Sequence, residues 1–364
     1  LPVAQAAFAG AALAQVHDAN DGHPSAGHQG AAWHPGRVIV PTALALAQET
    51  NMTGIDFLKS VVVGYDIALG TYHGPFNAPS DAYGAAAVAG YTLGLGGEKL
   101  AFCLRVAGFS APRSGAEDFE TNNITCAQQA RSGVETALLV ASGYPVSRAH
   151  LLQAQHFAFR QPMHYGQNLH ELYFKPYPTC RATHYHIDAA IALRPHVEKQ
   201  LDAIRSIRIH LPEEWGGPAH HVGIGKYYKS YAFSVTYAVA ATLADGEFTL
   251  HQLQPARTND PRIHALQKKT ILVKHTPEFY TQRNLPVGGT LSIELLDGTE
   301  YSKTVTIARG AAEDPLSDEE IAMKLVAWLG FSDREAGLLH AAVQRLDQAT
   351  KADTAGPVAS LVET

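Results

Sequence analysis

Small apolar residues run through the first half of the chain with few polar interruptions. Residues 3–16 (VAQAAFAGAALAQV), 37–49 and 55–69 are followed by 82–95, 98–109, 126–143 and 147–155, each bounded by Gly- or Pro-containing loops. Apolar stretches of that length, punctuated in that way, predict a succession of helices. Alanine and glycine dominate them and none has a broad polar face, which suits helices packed closely on several sides in a layered bundle. After about residue 165 the texture changes. Residues 205–211 (RSIRIHL), 270–275 and 290–296 (TLSIELL) read as strands, and Asp297-Gly298 predicts a hairpin turn into 300–307. Helices are predicted between them at 184–201, 231–244 and 260–269, which makes this region an α+β module. A further helix at 315–329 has Ser317 as N-cap and Glu320 at the capping-box position. Helix 333–348 follows, and the last fifteen or so residues read as a loose tail.

Composition narrows the function more than the fold. The 364 residues are 46% hydrophobic, enough for one large or two medium domains. A formal charge of −6 with no polybasic run offers no face for nucleic acid. No apolar run reaches the roughly 20 residues of a membrane span. Cys103, Cys126 and Cys180 are widely spaced and form no CxxC pair, which argues against a disulfide scaffold or structural zinc and favours a reducing, cytoplasmic compartment. The abrupt opening, Leu1-Pro2-Val3-Ala4 entering a helix at once, is read as a missing N-terminal segment.

Three segments can carry chemistry. His17, His23, His28 and His34 lie with Asp18 and Asp21 between two predicted helices. Histidine changes charge near neutrality, and a carboxylate can orient it. One reading makes His34 a general acid or base with Asp21 nearby to hold or polarise it. A metal site and a polar loop without chemistry are the others, although no HxxxH or HExxH pair supports the metal. The second segment is Phe174–Asp188, where Lys175, Arg181 and His184 gather near a predicted helix N-terminus. Backbone N–H groups already favour an anion there, so this is a candidate cradle for carboxylates. The alternative is a Pro-rich connection with solvated cations, and Cys180 reads as a packed thiol. In the third, Ser234 and Tyr237 share one helical face. Tyr237 is either a proton or hydrogen-bond donor, or a core tyrosine with one satisfied hydroxyl.

Taken in order, several motifs resemble the MmgE/PrpD family, which includes 2-methylcitrate dehydratase, cis-aconitate decarboxylase and iminodisuccinate epimerase. They are Asn20-Asp21 with His34-Pro35, the SVVVGYD run at 60–66, Gly84–Ala89 leading to Leu93-Gly94-Leu95, and Ala130-Arg131-Ser132-Gly133. Further on come Lys175–His184, Phe233-Ser234 with Ala241–Gly246, and Asp314-Pro315-Leu316-Ser317 with Lys324. The Lys-Pro-Tyr-Pro-x-Cys-Arg-x-x-His run is the most specific. The resemblance implies a mainly α fold: a large all-helical domain over 1–168 and 313–364, with a smaller α+β domain over 169–312. It also implies a homodimer that needs no cofactor and no metal. The activity would be a hydro-lyase of 2-methylcitrate dehydratase type, removing a proton beside a carboxylate of a small di- or tricarboxylate. Decarboxylation and epimerisation share that first step, and a non-catalytic member would only bind.

By position, Asp21 and His34 match the family's catalytic pair, Lys175 a substrate-side lysine, His184 the histidine of the same motif and Tyr237 a site tyrosine. Arg181 joins Lys175 as a carboxylate-holding residue. Two family positions differ. Asn122 stands near the place of a common lysine, and Asn77 stands where a histidine is expected, with His73 close by but out of register. Asn122 and His73 are therefore the substrate-binding candidates there, and Arg113 or Arg131 is a candidate replacement for the lysine charge.

Overall fold

The computed structural model describes residues 1–23, 34–72, 79–112, 119–146, 158–159, 166–211, 228–274 and 288–350. The helix expected at 147–155 and the tail expected beyond 350 lie outside them. The chain falls into two compact units, the first comprising Leu1–Val16, Asn20–Phe174 and Phe331–Thr364, the second His17–Ala19 and Lys175–Gly330. The first is all-helical apart from short strand pairs and the second is α+β, so the fold is mainly α with a smaller α+β part.

In the first unit, α1 (Val3–Gln15), α2 (Gly36–Thr50), α3 (Gly54–Gly70), α4 (Ser80–Thr92), α5 (Gly97–Ser110) and α6 (Phe119–Ala141) build the bundle. Helix α4 is its axis. Every residue from Ser80 to Gly90 is buried, and α2, α3, α5 and α6 all pack on it. Small residues make that possible. A Cβ added at Gly133 of α6 would lie 2.5 Å from the Ala86 backbone nitrogen and 2.6 Å from Ala85 Cβ. Gly133→Ala is therefore expected to destabilise by about 1–3 kcal/mol through overpacking, read as a lower urea midpoint. Helix α6 starts seven residues before the expected position. Its polar first turns (ETNNIT) read as loop, and only the buried stripe Cys126, Ala127, Ala130, Val134 and Ala137 carries the helical period.

Short antiparallel pairs complete this unit. Strand β1 (Asp21–Gly22) pairs with β4 (Tyr173–Phe174), and β2 (Thr71–Tyr72) with β3 (Ala158–Phe159). Two-residue strands give no alternating pattern, so none of the four was foreseen.

In the second unit, strands β5 (Ile204–Leu211), β6 (Thr270–Lys274), β7 (Gly289–Leu295) and β8 (Glu300–Val305) form a sheet of order β6-β5-β7-β8. The β5–β6 pair is parallel and the others antiparallel. The expected hairpin joins β7 to β8, with Gly298 at φ 89°. Helix α7 (Arg181–Val197) lies on β7 and β8, and packs on a helical layer in which the expected 231–244 helix is divided. Its parts are α8 (Tyr228–Ala232) and α9 (Val235–Asp245), broken where the Ser234 hydroxyl caps α9 by accepting the Tyr237 N–H at 3.2 Å. Helices α10 (Pro255–Thr258) and α11 (Pro261–Lys268) follow. Ile204, Ile207, Ile209, Leu291 and Ile293 of the sheet meet Ile187, Val239 and Leu243 in the core.

Helix α12 (Asp318–Leu329) begins with the expected Ser317–Glu320 capping box. It groups with the second unit rather than with the helical region over 313–364, because Trp328 packs against the second core. Helix α13 (Asp333–Gln344), capped in the same way by Ser332 and Glu335, belongs to the first.

Candidate active site

Asp21 is the best-defined candidate. Pairing of β1 with β4 places it opposite Phe174, and three groups converge on it. The Tyr65 hydroxyl of α3 donates to Oδ2 at 2.7 Å. The Gly36 N–H, one of the orphan donors at the start of α2, donates to Oδ1 at 3.1 Å. His34 Nδ1 lies 2.7 Å from the main-chain carbonyl of Asp21. A carbonyl only accepts, so Nδ1 carries hydrogen and, in the neutral ring, Nε2 holds the lone pair. The edge of the His34 ring rests on Tyr173 with centroids 6.5 Å apart.

Asp21 is only 8% exposed. Burial raises its pKa from an ordinary 3.8 to about 6, against the lowering pull of the Tyr65 and Gly36 hydrogen bonds and of Arg37. Arg37 is itself buried and paired with Asp81 at 3.0 Å. The Tyr65 phenol is held well above its usual range by burial and by Asp21, so it stays a donor. Asp21 and His34 are thus brought together as the sequence pattern suggested, but through the Asp21 backbone rather than its carboxylate. A carboxyl near 6 beside an oriented imidazole is suited to accepting and returning a proton near neutral pH.

The other histidines of this segment differ from His34. His23 pairs with Glu171 at 3.3 Å, His17 belongs to the second unit, and His28 lies outside the described residues. Among the described residues no three His, Cys, Asp or Glu side chains form a metal-holding group.

In the second unit, Lys175 is fully buried and donates to Asp18 Oδ2 at 2.8 Å and to the Asp18 carbonyl at 2.9 Å. Asp18 adopts a left-handed conformation, φ 49°. Arg181, at the start of α7, donates to the carbonyls of Arg309 at 2.9 Å and Ala308 at 3.2 Å, and its Nη1 lies 3.2 Å from His184 Nδ1. His184 is buried, and its pKa is held well below the usual value by burial first and then by the charges of Arg181, Lys175 and Lys324. The ring is therefore neutral, with Nε2 facing the Thr179 carbonyl at 3.3 Å. Burial pushes the Cys180 thiol up to about 11, the environment of a packed thiol rather than a nucleophile.

Tyr237 is wholly buried in the second core, edge-on to Tyr231 and Phe248, and its hydroxyl donates to the Gln252 carbonyl. That is the core environment weighed against a donor role. Asn122 stands on α6, while His73, Asn77 and Arg113 lie outside the described residues. Arg131 pairs with Glu135 at 2.6 Å on the exposed side of α6. The reading of the sequence missed Tyr65, Gly36 and Asp18 as functional or supporting residues. Tyr65 sits inside the SVVVGYD run and Gly36 directly after His34-Pro35, so adjacency was the available signal for both. Asp18 meets a lysine 157 positions away, for which no local signal exists.

Residues 1–170 match the family model described as MmgE/PrpD N-terminal domain, and residues 177–348 match the MmgE/PrpD C-terminal domain. Among curated proteins the chain is 27% identical over 371 residues to a mouse (Mus musculus) cis-aconitate decarboxylase, covering 90% of this chain and 72% of that one. It is 26% identical over 380 residues to the human (Homo sapiens) cis-aconitate decarboxylase, covering 90% and 74%.

Proposed function

The chain belongs to the MmgE/PrpD family, and on that premise we propose that it is a lyase acting on a small di- or tricarboxylate without a cofactor. The observation that carries this reading is the Asp21–His34 arrangement: the Asp21 main-chain carbonyl fixes the imidazole tautomer, and the buried carboxyl of the same residue has its pKa raised to about 6. In the dehydratase form, His34 Nε2 takes the proton from the carbon beside a substrate carboxylate as hydroxide leaves. The Asp21 main-chain carbonyl orients the ring through Nδ1, and the Asp21 carboxyl is the second acid–base group of the site. Within the second unit taken by itself, Arg181 beside neutral His184 is a candidate for binding a carboxylate. The charge of Lys175 is balanced by Asp18, so we assign it a supporting role, and Tyr237 a packing role. A second reading, decarboxylation, is favoured by the names of the two relatives. The same couple would then protonate the carbon that loses CO2.

Purified protein incubated with 2-methylcitrate, citrate, cis-aconitate and iminodisuccinate in D2O, and followed by NMR, tests the proposal. At least one acid is expected to turn over, or to gain deuterium beside a carboxylate. In His34→Ala, kcat/KM is expected to fall about 10²–10⁴-fold. Absence of turnover and exchange across the panel, or a His34→Ala variant as active as wild type, would sink the assignment.

A further inference from the structure

We infer that Tyr65 is a positioning residue of this site, aiming the Asp21 carboxylate from α3 while the Gly36 N–H holds its other oxygen. The inference rests on the functional reading above. Tyr65 is buried and its hydroxyl donates to Asp21 Oδ2 at 2.7 Å, whereas Gly36 reaches Oδ1 from α2 at 3.1 Å. Each carboxylate oxygen therefore has its own donor, from a different helix. The three groups share one small volume. A Cβ at position 36 would lie 2.3 Å from Asp21 Oδ1 and 2.5 Å from the Tyr65 hydroxyl, so glycine is required for both contacts to form.

The next residue acts on the other strand of the pair. Asp66 Oδ2 accepts the Gly166 N–H at 2.7 Å, just before the 3-10 turn Gln167–Glu171 that leads into β4. Tyr65-Asp66 thus anchors both halves of the β1–β4 pair: Tyr65 through Asp21 of β1, and Asp66 through the approach to β4. A residue whose only task was to fill space between α3 and its neighbours would need neither hydroxyl nor carboxylate.

Other groups also face Asp21. Among the described residues they are Arg37 of α2, paired with Asp81 of α4, and His34 ahead of α2, while Tyr173 of β4 meets the His34 ring and His23, two residues along, is paired with Glu171. None of these replaces the hydroxyl at Oδ2. A phenol hydrogen bond favours the ionised carboxylate, so its removal lets Asp21 keep its proton to higher pH.

The test is Tyr65→Phe in the full chain, which keeps the ring and removes one oxygen. With 13C-labelled aspartate, the Asp21 carboxyl titration is expected to move up by roughly one pH unit. The acid limb of the kcat/KM–pH profile is expected to move with it, while KM changes little and the thermal midpoint is nearly unchanged at pH 4 and lower at pH 8. A purely structural Tyr65 would lower the thermal midpoint at pH 4 and pH 8 alike and leave both curves in place, which overturns the proposal. An unmoved acid limb beside a shifted titration overturns it as well. The titration needs no substrate. If it shifts while no carboxylic acid is turned over, the functional reading fails and the hold of Tyr65 on Asp21 stands.

Discussion

Asp21→Asn is expected to give a protein that is more stable than wild type at pH 8 and nearly inactive. The Asp21 pKa rises from 3.8 to about 6 on folding, with desolvation as the largest cause. Between those values the folded state binds more protons than the unfolded one, so stability falls as pH rises. Its contribution is fully present below the unfolded value and is lost as pH climbs through about 6, a total of up to about 3 kcal/mol. Asparagine has nearly the same shape and no charge to desolvate. Its oxygen can accept the Gly36 N–H, and its amide can donate to the Tyr65 oxygen. The variant should therefore gain up to about 3 kcal/mol at pH 8, and the gain should all but close at pH 4. Activity should drop by about 10²–10⁴-fold, since the titrating group is gone. Urea unfolding at the two pH values, with kcat/KM at neutrality, checks both halves, and equal stabilities at pH 8 would contradict the burial argument. If the result holds, the ionised carboxylate destabilises the fold and is kept for its reactivity.

Lys175→Met should have the largest effect on stability, a loss of about 3–5 kcal/mol. Neither partner of the Lys175–Asp18 pair is more than 3% exposed. Removing the ammonium takes the counter-ion at 2.8 Å from the buried Asp18 carboxylate, and the donor at 2.9 Å from the Asp18 carbonyl. The double variant Lys175→Met with Asp18→Asn should recover much of that loss. It deletes the second charge, and asparagine tolerates the positive φ of position 18. Recovery should be incomplete because the Asp18 carbonyl remains without its lysine. A double-mutant cycle by denaturant unfolding measures the coupling, and a Lys175→Met loss below about 1 kcal/mol would show that water reaches the carboxylate.

The helical half was legible because its signal is local. Alanine- and glycine-rich stretches ended by Gly or Pro placed α1 to α5 within a few residues of their observed bounds. The β7–β8 hairpin and the Ser317 capping box were legible for the same reason. What failed was either too short or too distant. Ser234 breaks a stretch of apolar pattern that reads as one helix, since a cap is visible only once the backbone turns there. The start of α6 was hidden by polar residues in its first turns. At the site, the sequence pairs Asp21 with His34, yet which atoms meet depends on a strand pairing with residues 151 and 153 positions away. Tyr237 shows the converse. Its helical face could not tell a donor from a core residue, and the Gln252 carbonyl that takes its hydroxyl lies beyond the helix.

The three residues His17–Ala19 belong to the second compact unit although their neighbours on both sides belong to the first. This bears on dissection of the gene. A fragment spanning residues 175–330 would carry the lysine of the buried pair without its counter-ion, and should fold poorly despite containing an entire hydrophobic core. Starting at residue 177, where the C-terminal family match begins, discards both charges together and is the gentler cut. The compact unit on the α+β side is therefore not continuous in sequence, and a tripeptide near the start of the chain is part of it.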